Sequence, residues 1–529
     1  MPLLIPERKA MAFRFKDPDA ISQVKALMPS QEVDGYLCVP HTEDALRVLS
    51  NLGVSVSGLE PIRTRYSWPK LSGKFSPMPH QVTTAAFVTM HNYCYVLNDM
   101  RTGKSASCIW ATAYLRSQNQ CKGTLVICTL TCMESVWKNE IWGITPSASV
   151  AIVHGSKDKR ASLLADNYDY YIVNHDGIKV TSTAIELAIE EGRIDTIIMD
   201  EGAEFRHHNT DKWRTLRKIA KPNTLKRLWW LTATPTPNGP EDAWAQCRIV
   251  NPTRVDSYIT HWRDKTMRQI STYKWIPKPG WMNMVHEAMQ PAIRFAKSDV
   301  MELPPVLWVD RKCNLSPAQT KALDMVKREG ALMSESGSIT AVNAAVLLNK
   351  MLQIAAGAVL ADNGSVVEYS ADTRYQAVRD IMLESKSKTL IFANNHATLD
   401  RLYSMLVKAG HRVAQVDGRV TGKERTRRIS GFQTMDTYDV LVLHPKPAGH
   451  GLELSAADQI IWFCPPFSTD LYIQANNRIQ SAKQKHGMGI YHIYCTNFEK
   501  AIYAARKAGV ADQNGVLALY REATQETFN

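Results

Sequence analysis

Apolar residues along this chain fall into two kinds of run. Short, nearly continuous runs predict buried strands, and longer stretches with apolar residues three and four apart predict helices packed on them. In the first half the two kinds alternate. YCYVL (Tyr93–Leu97) predicts a strand, followed by a helix from Lys104 with Ile109, Ala113 and Leu115 on its buried side. GTLVICTL predicts the next strand and ESVWKNEI a helix; DYYIVNHDGI predicts a strand and STAIELAIEEG a helix. Ile197, Ile198 and Met199 make one more strand, and RLWWL another. Such alternation predicts a parallel, doubly wound sheet with functional groups at the carboxyl ends of its strands.

Residues 1–75 precede this pattern as a small α+β module. FRFKDPDAISQVKALMP predicts a strand and then a helix with Ile21, Val24 and Leu27 on one face. HTEDALRVLSNLG predicts a second helix with Ala45, Leu46, Val48 and Leu49 inward and Gly53 ending it. SGLEPIRTRYSWPKLSGKF, basic and aromatic, reads either as a linker or nucleic-acid surface or as a packing extension of the next domain.

Between about 255 and 372 helical patterns dominate (PAIRFAKS, SPAQTKALDMVKRE, TAVNAAVLLNKMLQIAAG), split by the extended LPPVLWVD. From 373 the alternation returns with KTLIFAN, HATLDRLYSMLVKAG, DVLVLH, DQIIWFC and GIYHIYC. The expected organisation is therefore a module over 1–75, a first α/β lobe over 76–255, a helical bridge over 256–372 and a second lobe over 373–529.

Candidate chemistry concentrates where the first strand meets its helix. Met100-Arg101-Thr102-Gly103 is a tight loop, and Lys104-Ser105 open the helix. Strand, glycine-containing loop, Lys-Ser and helix are the parts of a phosphate cradle: backbone N–H groups and the ammonium of Lys104 meet phosphate oxygens, and the Ser105 hydroxyl ligates Mg²⁺. The usual first loop glycine is Arg101 here. Upstream, Gln81 offers an amide able to read an adenine edge with one donor and one acceptor. Asp200 and Glu201 end their strand, where a metal and an attacking water must be held; Asp200 would hold the metal and Glu201 orient the water. The turn Thr232-Ala233-Thr234-Pro235 comes after the next strand and is able to sense the phosphate. The second half has no phosphate loop of its own, so one nucleotide shared by both lobes is expected, with Arg478 supplying charge.

Composition narrows the partners. Lys plus Arg number 63 against 51 Asp plus Glu, a net charge of +12 that suits a polyanion as well as a plain basic enzyme. Ten cysteines without a CxxC pair argue for reduced thiols and against a zinc site. No apolar run approaches a membrane span, and MPLLIPERKAMAF is no signal peptide, so a cytoplasmic protein is expected.

The motifs, in order, resemble those of the Swi/Snf-type branch of superfamily-two helicase-like ATPases. MPHQ resembles the glutamine motif, DMRTGKS the Walker A loop, and TCMESVWKNEI the segment carrying Trp137 and Glu140. DEGAEFRHHNT resembles the DEAH-type box, LTATPTPNGPEDAW motif three, and AKSDVMELPP the charged run between lobes. TLIFANNHATLDRL, HPKPAGHGLELSAADQIIWFCPPF and YIQANNRIQSAKQ resemble motifs four, five (bacteriophage-type) and six. The module over 1–75 resembles, more weakly, the HepA-related-protein domain of annealing helicases.

The resemblance implies ATP-driven movement on duplex DNA and remodelling of forks or branches, in the host cytoplasm if the gene is viral. It adds Gly451 and Glu453 of motif five to the nucleotide site. It implies DNA contacts, largely to phosphates, in loops that include Thr129, Asn174, His175, Asn394, His396, His444 and Lys446; a purely structural role for each loop stays open. Two departures bear on rate. Ala203 stands where a polar residue links the acidic box to motif three, and Ser481 stands where a second motif-six arginine would meet the γ-phosphate, with Lys483 as its possible substitute. A nucleotide-gated DNA clamp with weak hydrolysis is the alternative reading; an RNA-directed helicase is a third.

Overall fold

The computed structural model describes residues 2–508 except 16, 72–75, 222–223, 238, 272–273, 301–303, 336–340, 361–364, 385–386, 449–453, 467 and 481–486. The chain divides into two compact units, Met1–Val300 and Met301–Asn529.

The first unit opens with a four-stranded antiparallel sheet. Its strands β1 (Leu3–Ile5), β2 (Ala10–Phe13), β3 (Gln31–Val33) and β4 (Tyr36–Pro40) lie in the order β1-β2-β4-β3. Helices Pro18–Leu27 and Glu43–Asn51 cover one face, capped by the Asp17 and Thr42 side chains. Met11, Phe13, Val24, Leu37, Val39, Leu46 and Leu49 form the core between them. Leu27 departs from its expected inward place: it is 59% exposed, because the helix stops there and Met28, just past its end, packs on the core instead. Val48 is half-buried, and Gly53 ends its helix at φ +76°.

The segment after this module serves packing. Tyr66 meets Tyr114 and Trp68 meets Trp110 edge-on, and the Trp110 indole N–H donates to the Pro69 carbonyl. Its aromatic rings are spent on the helix behind the phosphate loop.

The main sheet has β5 (Tyr93–Val96), β6 (Thr124–Cys128), β7 (Val150–Ile152), β8 (Tyr170–Asn174), β9 (Thr196–Met199) and β10 (Arg227–Leu231). A hairpin, β11 (Met267–Ser271) with β12 (Lys274–Pro277), stands apart, and β13 (Ala292–Ile293) rejoins the sheet. The order is β13-β5-β10-β9-β6-β8-β7, all parallel. Alternate residues enter opposite cores: Leu125, Ile127, Ile197 and Met199 one side, Val126, Cys128 and Ile198 the other. Burial on both faces is why these strands read as unbroken apolar runs.

PAIRFAKS is corrected by β13. Ala292–Ile293 is a strand, with only Lys297–Val300 helical after it. Tyr95, Leu97 and Asp99 donate their N–H groups to the carbonyls of Pro291, Ile293 and Phe295. Without this segment β5 would be an edge with unpaired donors, and satisfying them outweighs helical periodicity.

The second unit carries β14 (Val306–Lys312), a hairpin of β15 (Ala358–Leu360) and β16 (Val366–Glu368), then β17 (Thr389–Phe392), β18 (Val413–Val416), β19 (Val440–Leu443), β20 (Gln459–Trp462) and β21 (Met488–Tyr494). Its six-stranded sheet, β14-β21-β20-β17-β19-β18, is also parallel throughout. Two parallel-sheet α/β lobes are thus present, as the alternation predicts, and they are the RecA-like pair that the resemblance implies. All ten cysteines are free and eight are buried. Among the described residues no helix is long and apolar enough to cross a membrane.

Candidate nucleotide site

Strand β5 delivers the chain into the loop 97–103, and helix Lys104–Ser117 leaves it. Arg101 (φ +65°) and Gly103 (φ +83°) are both left-handed, which turns the loop back on itself. Gly103 is needed twice over, since a Cβ there would also lie 2.2 Å from Gln81 Nε2. No side chain caps the helix start. Its first N–H groups and its dipole are left for an anion.

The loop is braced from behind. Gln81 Nε2 and His80 Nε2 both donate to the Thr102 carbonyl, at 3.1 and 2.8 Å, while Gln81 Oε1 accepts from Met78 N–H. Gln81 therefore braces the loop through its amide nitrogen, while its oxygen accepts from Met78 N–H at the start of its own helix. Asn98 and Asp99 are held by the returning strand, through Phe295 N–H to Asn98 Oδ1 and Lys297 N–H to Asp99 Oδ2. His80, Asn98 and Lys297 were invisible in the sequence, because each acts through a partner distant along the chain.

Lys104 donates to the carbonyls of Asn98 (2.8 Å) and Asp99 (3.0 Å). Burial pushes its ammonium down, and Glu201, Asp200 and Asp99 push it back up. Lys297, only 8% exposed, is pushed down to about 7 by burial and by Arg101. The desolvated Lys104 ammonium, held on two neutral carbonyls, suits an incoming phosphate.

The acidic residues stand at the end of β9. Asp200 N–H donates to Ile127 O, Trp137 Nε1 donates to Asp200 Oδ2 at 2.9 Å, and His175 Nε2 donates to the Asp200 carbonyl at 2.9 Å. Burial and then Glu201 raise the Asp200 carboxyl; Trp137, Lys104 and His175 lower it. Glu201 is left-handed at φ +51°. Among the described residues no cluster of three or more His, Cys, Asp or Glu could cage a metal. One buried carboxylate within electrostatic reach of the phosphate-loop lysine fits Mg²⁺, which keeps waters and takes phosphate oxygens as ligands.

The DNA candidates separate by accessibility. Thr129 and Asn174 stand at the ends of the neighbouring strands β6 and β8, half-buried. His175 is 8% exposed, with its ring on Phe205 and the Asp200 carbonyl, which fits the structural role left open for it. In the second unit Asn394, His396, His444 and Lys446 gather at the carboxyl ends of the paired strands β17 and β19. Asn394 donates to Pro465 O, and His444 donates to Asn394 O while accepting from Lys446 N–H, so these two build the loops. His396 and Lys446 are exposed. Arg478 lies two residues past helix Thr469–Asn476, half-buried. Gly451, Glu453, Ser481 and Lys483 lie outside the described residues.

A parallel α/β unit with a phosphate loop facing an acidic strand end defines a nucleoside-triphosphate-binding class. The SNF2-related domain profile matches residues 80–356, and the helicase conserved C-terminal domain matches 373–483. The chain belongs to the SNF2-related family. Similar proteins include "Chromodomain-helicase-DNA-binding protein 1-like" of Danio rerio, 24% identical over 75% of this chain and 38% of that one. "Putative protein p41" of Acyrthosiphon pisum secondary endosymbiont phage 1 is 26% identical over 78% of this chain and 90% of its own length. "DNA annealing helicase and endonuclease ZRANB3" of Homo sapiens is 21% identical over 78% and 37%. The chain thus spans about two fifths of the first and third and most of the second. Among solved structures, the Sulfolobus solfataricus SWI2/SNF2 ATPase core in complex with dsDNA is similar at 20% identity and TM-score 0.40, over 86% of this chain and 96% of that one.

Proposed function

We propose that the protein is an ATP-dependent motor on double-stranded DNA that remodels forked or branched substrates. The observation that carries the reading is Lys104 in a left-handed loop, electrostatically coupled to Asp200 and Glu201, with Asp200 held by the Trp137 indole. Lys104 and the free helix N–H groups bind the β- and γ-phosphates. Asp200 and Ser105 hold Mg²⁺, which when bound neutralises charge on the phosphate oxygens. Glu201 orients the attacking water. Arg478, assisted by Lys483, supplies cationic charge to the transition state; with Ser481 in place of a second arginine, turnover is slow, because ammonium lacks the guanidinium fork. His396, Lys446, Thr129 and Asn174 contact DNA phosphates, so binding is sequence-tolerant and weakens with salt.

The same two departures, Ala203 and Ser481, favour a second reading: a clamp that binds nucleotide and DNA with little hydrolysis. Steady-state ATP hydrolysis with no DNA, single-stranded, duplex and forked DNA, run beside Lys104→Ala and Glu201→Gln, separates them. Stimulation by duplex or forked DNA that both variants abolish supports the motor. Binding of ATP and DNA without turnover supports the clamp.

A further inference from the structure

The acidic turn after β9 is gripped from two sides by tryptophans. Trp137 holds Asp200; on the other side the pyrrole ring of Trp230, on β10, lies against Gly202. A Cβ on Gly202 would sit 2.1 Å from Trp230 Nε1, 2.3 Å from Cε2 and 2.6 Å from Cδ1. Gly202 does not have a positive φ, so close approach alone demands the glycine.

The same indole leads onward. Trp230 Nε1 donates to Gln246 Oε1 at 2.8 Å, and Gln246 Nε2 donates to the Pro235 and Asp242 carbonyls. Gln246 is fully buried, and its amide spans from the indole to the turn Thr232–Pro235. That turn is closed by Thr234 N–H on Thr232 Oγ1. Ala203 has no side-chain donor or acceptor to reach the same turn. Phe205 stands edge-on to both Trp230 and His175, and His175 holds the Asp200 carbonyl, so the acidic turn and the indole share one packed unit.

Satisfying a buried indole does not by itself require such a link. The buried Trp110, Trp213, Trp229, Trp244 and Trp262 of this unit all donate to backbone carbonyls. Trp137 and Trp230, the two that flank Asp200–Gly202, donate instead to side chains.

We propose that Trp230 and Gln246 are positioning residues that make the Asp200–Ala203 turn and the Thr232–Pro235 turn move as one when nucleotide binds. The inference rests on the nucleotide site proposed above. A shift of Gly202 toward the indole must displace Trp230, and Trp230 cannot tilt without dragging the Gln246 amide and, with it, Pro235 O. A hydrogen-bonded path through one fully buried amide transmits displacement because neither partner can fall back on water.

Amide hydrogen exchange tests this in the full chain, with Mg²⁺ and a non-hydrolysable ATP analogue. In the wild type the analogue should slow exchange at least fivefold both around 200–206 and around 228–236. Trp230→Phe, which removes the N–H and keeps an aromatic ring, and Gln246→Met, which keeps volume, should retain analogue affinity within about threefold and the protection at 200–206. They should lose it at 228–236, and the double variant should lose no more than either single one. A merely structural role would instead raise exchange in both segments with or without analogue. Protection at 228–236 that persists in both variants, or that is missing in a wild type that binds the analogue, overturns the inference. A wild type that binds no nucleotide overturns the nucleotide reading and this inference with it; absence of hydrolysis alone overturns only the motor.

Discussion

Trp137 donates its indole N–H to Asp200 Oδ2 at 2.9 Å, from a segment 63 positions upstream. The bond acts on the charged form of a carboxyl that burial and Glu201 both push toward protonation. A hydrogen bond to a charged group is worth about 1.5–3 kcal/mol. Trp137→Phe should therefore raise the Mg²⁺ concentration for half-maximal ATPase or nucleotide binding by roughly tenfold, as about 1.4 kcal/mol corresponds to a factor of ten. A magnesium titration checks this, and an unchanged midpoint would refute the role given to the indole.

Asp200 also makes a pH prediction. Its carboxyl is raised in the fold, so the stability it contributes is fully present below its unfolded value of about 3.9 and is lost as pH rises through the raised value. Above that unfolded value the fold must either bury the charge or take up a proton, and both work against folding. Asp200→Asn keeps an oxygen for Trp137 and removes the repulsion with Glu201. It should melt higher than the wild type at pH 7.5, with the gap closing toward pH 4, while ATP hydrolysis falls at least a hundredfold. A melting gap that grows on acidification would reverse the sign and discard the account.

Arg101 occupies a left-handed position where glycine carries no Cβ penalty. The penalty is roughly 1 kcal/mol, offset by about half that from glycine's freedom in the unfolded chain. Arg101→Gly should thus stabilise slightly, by about 0.5 kcal/mol, and, if the loop backbone holds the phosphates as proposed, leave ATP affinity within twofold. Calorimetric titration with ATP decides: a large loss of affinity would mean that the guanidinium itself holds the nucleotide.

The second unit depends on a fully buried ion pair. Arg374 donates to Glu499 Oε1 and Oε2 at 2.7 and 3.0 Å and also to the Phe463 and Ile493 carbonyls. Glu499 in turn caps helix Asn497–Lys507 through Thr496. Arg374→Met leaves a buried carboxylate without its partner and should cost about 3–5 kcal/mol. Urea unfolding followed by fluorescence measures it, and a change below about 1 kcal/mol would show that water or another cation replaces the guanidinium.

Legibility tracked distance along the chain. The placement of Lys104 and Ser105 at a helix start and of Asp200 and Glu201 at a strand end could be read from sequence, because each lies next to the element that presents it. Both sheets were readable for the same reason, from apolar strands buried on two faces. The features that escaped depended on partners far away. Gln81 could be read for its amide chemistry, but not its bond to the Thr102 carbonyl, twenty-one positions on. His175 sat in an exposed-looking loop, but the Asp200 carbonyl and Phe205 draw it inward. PAIRFAKS carried helical spacing, and only the open edge of β5 could say that it is a strand.

That late strand has a consequence for synthesis. Asp99 Oδ2 accepts from the Lys297 N–H, 198 positions later. A nascent chain that has left the ribosome as far as Trp230 already contains Lys104, Asp200 and Glu201, but β5 still lacks its neighbour on one side. Domains fold as units during translation. The cradle for ATP therefore stays unfinished until nearly three hundred residues have been made, and a fragment ending near residue 255 would carry the binding motifs without the strand that holds them in place.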